Sequence, residues 1–317
     1  MISVIMSVYN ETKRELELSI NSILNQSYKN FEFIIVLDNP DNIELKDILL
    51  KNSNKDSRIK VIINETNIGL ANSLNKAFNY SKGEYIARMD ADDISNKDRL
   101  KEQYNYFKKN EDCDILATDK NNIDEYGKII PSESYVVNDS YYFCKIMKCC
   151  NIIIHPSIMM KREVMVNLSG YRNFKASQDY DMWLRAIRYG FNFHILDKKL
   201  INYRIRQNSI GNLDYSKQHG YMMYAKYLDK KGLTDNNFDN DDYCNYLKMN
   251  KLYSLNDKKI YNSYYKILKN QYPSFSILKK VFFIFFIFMK KRILFKYYMA
   301  SRKKDKIFEL YYKKTFS

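Results

Sequence analysis

Apolar positions in the first ninety residues recur with two different periods. Ser3 to Val8 and Phe33 to Leu37 are short β-branched runs, and Glu15 to Asn25 between them has helical spacing, which predicts a βαβ unit. Ile59 to Ile63 predicts a third strand, Gly69 to Tyr80 a helix rich in Ala, Leu and Asn, and Tyr85 to Met89 a fourth strand. Strands alternating with helices imply an α/β fold with a mostly parallel sheet flanked by helices, whose ligands lie at the carboxyl ends of the strands.

Each of those ends is polar. Tyr9-Asn10-Glu11 follows the first strand and Asp38-Asn39-Pro40-Asp41-Asn42 the second. Asn64-Glu65-Thr66-Asn67-Ile68-Gly69 follows the third and Asp90-Ala91-Asp92-Asp93 the fourth, so four loops converge on one rim. Further along, Arg99 to Lys108 predicts a helix, Asp114 to Thr118 and Ile158 to Lys161 strands, and Gln178-Asp179-Tyr180-Asp181 opens a helix running to Tyr189. The stretch before Tyr142 is less regular. Beyond Gly211 the pattern is helical and rich in Tyr and Lys, so the chain divides into residues 1–215 and a helical region, 216–317.

Charge changes the picture of that second region. The net charge is +15, but Lys258 to Ser317 alone carry 16 Lys and Arg against Asp305 and Glu309, leaving the rest of the chain nearly neutral. Within this stretch lies the apolar block Val281 to Met289, bracketed by Lys279-Lys280 and Lys290-Lys291-Arg292. As a helix the block spans about 14 Å, half of a hydrocarbon core of about 30 Å. It cannot cross a bilayer unaided, but it fits an interfacial anchor whose lysines reach the headgroups, so residues 275–317 are expected to meet an anionic membrane surface. A buried helix with a solvated basic flank is the alternative. Five cysteines without metal-type spacing point to reduced thiols, and the N-terminus enters a strand with no charged leader, so a cytoplasmic location is expected.

Candidate chemistry concentrates at Asp90, Asp92 and Asp93. Carboxylates so crowded repel each other unless neutralised, and hard oxygen ligands select Mn2+ or Mg2+. An acidic turn capping the next helix is the competing explanation.

Five pieces of the chain resemble, in order, the family 2 glycosyltransferases with the GT-A (Rossmann-like) fold. They are Ser3-Val4-Ile5-Met6-Ser7-Val8-Tyr9-Asn10-Glu11, Ser22-Ile23-Leu24-Asn25-Gln26-Ser27-Tyr28, Asn67-Ile68-Gly69-Leu70-Ala71, Asp90-Ala91-Asp92-Asp93 with Arg99-Leu100, and Gln178-Asp179-Tyr180-Asp181-Met182-Trp183-Leu184-Arg185. The resemblance extends over about the first 210 residues and is strongest to bacterial enzymes of capsule, exopolysaccharide and O-antigen assembly. It departs at Asp38-Asn39-Pro40-Asp41-Asn42, where many members carry a DDGS-type loop but Asp38 is retained.

The resemblance implies a nucleotide pocket lined by Val8, Tyr9 and Glu11, with Asp38 on the base and Asn67, Gly69 and Asn72 near the donor. It further implies that Asp90 and Ala91 touch ribose and diphosphate, and that Asp92, with Asp90, holds the metal. Asp179 becomes the expected general base, although Asp179 and Asp181 would equally favour the positive end of a helix dipole. Gln178, Trp183, His155 and Arg204 are assigned to the acceptor side; Trp183 could instead pack in the core and Arg204 could be solvated.

The expected activity is transfer of a hexosyl or N-acetylhexosaminyl group, with inversion, from a nucleotide-sugar donor, UDP-sugars favoured, to a glycan or lipid-linked oligosaccharide in surface polysaccharide biosynthesis. Its expected place is peripheral, on the inner face of a bacterial plasma membrane. A sugar-nucleotide nucleotidyltransferase is the first alternative, but no glycine precedes Gly69, so the early glycine-rich loop of those enzymes is missing. A nucleic-acid-binding role for the basic tail is disfavoured because the Phe/Ile block is too apolar for a solvated face.

Overall fold

The computed structural model describes residues 1–206, 215–233, 240–249, 263, 265, 267, 271–290 and 292–316. The chain forms two compact units, Met1–Ser140 with Ile152–Ile205, and Tyr141–Asn151 with Arg206–Ser317.

In the first unit the elements follow as β1 (Ile2–Val8), α1 (Lys13–Leu24), β2 (Phe31–Leu37), α2 (Ile43–Lys55), β3 (Ile59–Ile63), α3 (Leu70–Asn79) and β4 (Tyr85–Asp90). Then come β5 (Ile94–Ser95), α4 (Arg99–Lys109), β6 (Ile115–Ile123) and β7 (Ile129–Ile130). After the excursion into the second unit, which begins with α5 (Ser140–Met147), the chain returns through β8 (Met159–Lys161), α6 (Arg162–Asn167), α7 (Gln178–Tyr189) and β9 (Phe193–Arg204).

One nine-stranded sheet carries the order β3-β2-β1-β4-β8-β6-β9-β5, with β7 added to β6. β1, β2, β3 and β4 are mutually parallel. β8 is antiparallel to both β4 and β6, and β9 is parallel to β6, so β6 and β9 point the same way as the first four strands. Only the short β5, β7 and β8 run in reverse. The expected mostly parallel sheet is therefore present, and the carboxyl ends of six strands share one rim.

The central strands are apolar on both faces because helices cover both. Ile5, Met6, Ile34, Ile35 and Val36 are fully buried, as are Leu16, Ile20 and Ile23 of α1. Helix α1 begins at a capping box, in which Thr12 and Glu15 satisfy each other's backbone amides. Sequence periodicity missed β9, whose polar stretch Asp197-Lys198-Lys199 hides the strand signal, and it missed α2, α5 and α6.

The second unit contains α5 with α8 (Tyr215–Lys231), α9 (Asn240–Met249), α10 (Ile277–Lys290) and α11 (Arg292–Phe316). Tyrosines do much of its packing: Tyr221 stacks on Tyr243 at 3.9 Å, and Tyr224 meets Tyr246 at 5.0 Å. No helix among the described residues is long and apolar enough to cross a membrane. All five cysteines are free thiols, and burial raises the pKa of Cys113 to about 12 and of Cys150 to about 11.

Candidate active site

The acidic loop leaves β4 in the middle of the rim, where the parallel strands meet the reversed β8. In the order β3-β2-β1-β4 the strand order reverses between β1 and β4, and open α/β sheets bind ligands at such a switch point. Carboxylate oxygens of Asp90, Asp92 and Asp93 lie within 4.8 Å of one another.

Three buried arginines surround these acids. Arg88 pairs with the Asp90 carboxylate, and its Nε and Nη1 have no hydrogen-bond partner among the described residues. Arg99 donates from Nη2 to the Arg88 carbonyl at 2.8 Å and to the Ile158 carbonyl at 3.0 Å; burial, with repulsion from Arg88, brings its pKa down to about 9. Arg204 donates its amide to Asp93 Oδ1 at 2.7 Å and its Nε to the Asp92 carbonyl at 2.7 Å. Its Nη1 reaches the carbonyls of Asp124 and Glu125 at 2.9 and 3.0 Å. Asp93 is buried, and its Oδ2 has no hydrogen-bond partner among the described residues. Burial, followed by repulsion from Asp92 and Asp90, holds its carboxyl well above the usual carboxylate range.

Neighbouring elements fix the loop from below. Ser19 of α1 donates to the Asp90 carbonyl at 2.8 Å. Gln26 is fully buried and bridges α1 to the turn before α4, donating to the Asn96 carbonyl at 2.7 Å and accepting from the Leu100 amide at 3.0 Å.

Towards β1 and β2, Tyr9 and Glu11 stand at the rim, with the Tyr9 amide donating to Glu11 Oε2 at 2.8 Å. Val8 is fully buried behind them. Asp38 is buried too: Oδ1 accepts from Asn64 Nδ2 at 2.7 Å and the Ile68 amide at 2.8 Å, and Oδ2 accepts from the Gly69 amide at 2.9 Å. Its carboxylate thus holds the loop after β3. Gly69 adopts φ of +84°, which a side chain would strain. Asn67 caps the Gly69 amide at 3.1 Å, and Asn72 donates to the Ile68 carbonyl at 2.9 Å, so both asparagines brace the same loop.

On the other flank, α7 starts after Ser177, a residue with left-handed φ of 55°. Asp179 is partly exposed in its first turn. Asp181, by contrast, is buried in an ion triad, its oxygens 3.1 Å from Arg172 Nη1 and 2.9 Å from Arg185 Nε. After burial, the charges acting on the Tyr171 phenol are those of Arg88, Asp179 and Asp90. Burial is the main cause of its raised pKa. His155 is buried with Nε2 2.9 Å from the Tyr171 hydroxyl; burial first, then Arg88, keeps its pKa well below the ordinary imidazole value.

Two of the residues assigned to the acceptor side are buried. Trp183 is fully buried, edge-on to His155 and Phe193, and offers no surface to a solvent-borne acceptor. Arg204 is buried and not solvated: its amide, Nε and Nη1 hold Asp93 and the backbone of two loops, while Nη2 has no hydrogen-bond partner among the described residues. Gln178 is buried at the start of α7. The sequence places Arg88 at the head of the stretch Arg88–Asp93 expected to hold the metal and diphosphate but gives it no role of its own, and gives none to Tyr171 and Tyr203. Burial first, then Asp93, Asp90 and Asp92, raises the pKa of the Tyr203 phenol. Arg88 had a legible signal, a cation inside an otherwise apolar strand; Tyr171 and Tyr203 had none among 29 tyrosines.

The model of glycosyl transferase family 2 matches residues 3–168. An uncharacterized glycosyltransferase of Methanocaldococcus jannaschii is 39% identical over 228 residues, covering 70% of this chain and 77% of its own. The Escherichia coli O-antigen biosynthesis glycosyltransferase WbnJ is 35% identical over 240 residues, covering 74% of this chain and 92% of its own. Among solved structures, S. aureus TarS 1–349 in complex with UDP-GlcNAc superposes with a TM-score of 0.61 at 15% identity, over 98% of this chain and 90% of that one. That likeness identifies the sheet and its flanking helices as a GT-A fold. With the family model spanning more than half of its residues, this chain belongs to glycosyl transferase family 2 and is a glycosyltransferase.

Proposed function

We propose that the chain transfers a hexosyl or N-acetylhexosaminyl group, with inversion, from a nucleoside-diphosphate sugar, a UDP-sugar in first place, to a saccharide acceptor during bacterial surface polysaccharide assembly. The observation that carries this reading is the cluster of Asp90, Asp92 and Asp93 carboxylates at the end of β4 in a family 2 chain. Relatives named for O-antigen, amylovoran and teichuronic acid biosynthesis support the polymer class. Solved neighbours bound to UDP-GlcNAc, or to GDP-Man and Mn2+, support a sugar-nucleotide donor.

In this reading Tyr9 offers its exposed face to the base, and Val8 and Glu11 shape the wall beside it. Asp38, Asn67, Gly69 and Asn72 hold the β3–α3 loop against the nucleotide, and Asp90 and Ala91 meet ribose and diphosphate. The donor set fits a hard divalent ion, since every candidate ligand is a carboxylate oxygen and Asp93 keeps one oxygen without a hydrogen bond. Asp92, with Asp90, would hold Mn2+ or Mg2+, which when bound stabilises negative charge on the departing diphosphate. Asp179 accepts the proton of the acceptor hydroxyl while that oxygen bonds to the anomeric carbon and the sugar–phosphate bond breaks, its electron pair leaving with the nucleoside diphosphate. A screen of UDP-sugars and GDP-mannose by released nucleotide, with and without Mn2+, tests the reading. Turnover that survives both EDTA and Asp92→Ala would refute the metal assignment.

The acceptor in this proposal is lipid-linked and met at the inner face of the plasma membrane. Exposed apolar residues on α10, Ile277 at 84%, Val281 at 61% and Phe282 at 66%, beside exposed Lys279, support interfacial insertion. Sedimentation with vesicles of phosphatidylglycerol and phosphatidylcholine tests it. Replacing Ile277, Val281 and Phe282 together by Glu should release the chain into the supernatant, and unchanged sedimentation would remove the anchor.

A further inference from the structure

The hairpin joining β6 to β7 stands on the same rim as the acidic loop. Its turn is tightly specified: Asp124 Oδ1 accepts from the amides of Tyr126 at 3.0 Å and Lys128 at 2.8 Å, and the Asp124 amide donates to the Lys128 carbonyl at 2.9 Å. Gly127 completes it with φ of +92°. At its tip Tyr126 is 72% exposed, the most exposed aromatic side chain among the described residues, and Ile129 at the start of β7 is 63% exposed.

Isolated apolar residues on a surface need no explanation. What sets Tyr126 apart is its tether. Arg204 binds the Asp92 carbonyl through Nε at 2.7 Å and the Glu125 carbonyl through Nη1 at 3.0 Å. One planar guanidinium therefore spans both loops and keeps the two carbonyls within about 8 Å of each other. The residue next to Glu125 is thereby fixed beside the acidic loop by a buried, charge-assisted clamp.

Position along the sheet supplies a direction. β1, β2 and β3 lie on one side of β4, with the exposed Tyr9 on their rim, whereas β6 and β9 lie on the other with Tyr126. A nucleotide seated over β1–β3 directs its sugar away from those strands and towards the β6 side. A sugar ring has apolar C–H faces that pack on an aromatic ring, and a tyrosine combines such a face with a polar tip.

We propose that the β6–β7 hairpin is a saccharide-acceptor platform in which Tyr126 stacks on a ring of the acceptor glycan and Arg204 holds that platform in register with the acidic loop. This rests on the glycosyl-transfer reading above and adds to it an acceptor-side residue.

The test is binding of the intact chain, with UDP and Mn2+ present, to an array of bacterial surface oligosaccharides. Tyr126→Ala is expected to lower the array signal at least five-fold, and Tyr126→Phe, which keeps the ring, to stay within two-fold of the unmodified chain. Full binding by Tyr126→Ala, or no glycan signal from the unmodified chain, would overturn the proposal. The released-nucleotide screen separates the two failures: if no sugar nucleotide is turned over by the unmodified chain, the transfer reading falls, whereas donor turnover with array binding indifferent to Tyr126 removes only the platform.

Discussion

The carboxylate of Asp38, at the end of β2, accepts the backbone amide of Gly69 at 2.9 Å and so fixes the entrance to α3. Its other oxygen holds Asn64 and Ile68. Asp38→Ala removes the acceptor of three donors, the Asn64 side-chain amide and the Ile68 and Gly69 N–H groups, at about 1–3 kcal/mol for each left unpaired. Asp38→Asn is expected to restore only part of that, because its amide nitrogen cannot accept from Gly69. Denaturant melts should rank the variants wild type, Asn, Ala, and equal stability of all three would show that the loop is held by other contacts.

Asp179 and Asp181 sit two residues apart on α7 and should behave differently. Asp179→Asn is expected to lower kcat by about 10²- to 10⁴-fold with little change in donor KM. Asp181→Ala strands Arg172 and Arg185 in the interior and is expected to cost about 3–5 kcal/mol, seen as loss of soluble protein or a large drop in Tm. Equal effects on Tm would remove the distinction.

Burial, then Asp92 and Asp90, hold the Asp93 carboxyl well above the usual carboxylate range. Asp93→Asn keeps an oxygen for the Arg204 amide and removes repulsion with Asp92 and Asp90, so Tm should hold or rise. Asp93→Leu loses that bond and should melt earlier.

Stability should fall on acidification through the buried imidazoles. His155 is held well below its ordinary pKa of 6.5, and burial lowers that of His219 to about 3. Below pH 6.5 the unfolded chain binds protons that the folded chain refuses, so each histidine contributes up to about 1.4 kcal/mol of destabilisation per pH unit. Thermal melts from pH 7.5 to 5.0 check this, and His155→Gln should flatten the slope. A flat profile in the unmodified chain would contradict the burial of both rings.

Much of this was legible in the residues. Alternating strand and helix periods locate β1 to β4 and the polar rim because each parallel strand is apolar on both faces. The roles of residues within the short motifs were not legible: Gln26, Asn72 and Arg99 make bracing hydrogen bonds, and partners distant in sequence leave no local signature. Trp183 was ambiguous for the same reason, as the helix that carries Asp179 also faces the core. β9 escaped detection because its central residues are charged, and with it went the tether that Arg204 makes between the acidic loop and the β6–β7 turn.

The excursion Tyr141–Asn151 means that the chain passes between the two units three times, after Ser140, after Asn151 and after Ile205. No single cut separates them. A fragment ending at Ile205 would retain Phe143, Ile146 and Met147, side chains now buried in a unit whose remaining helices had been deleted. Such a fragment is expected to aggregate, so the sheet unit has to be expressed together with the helical one.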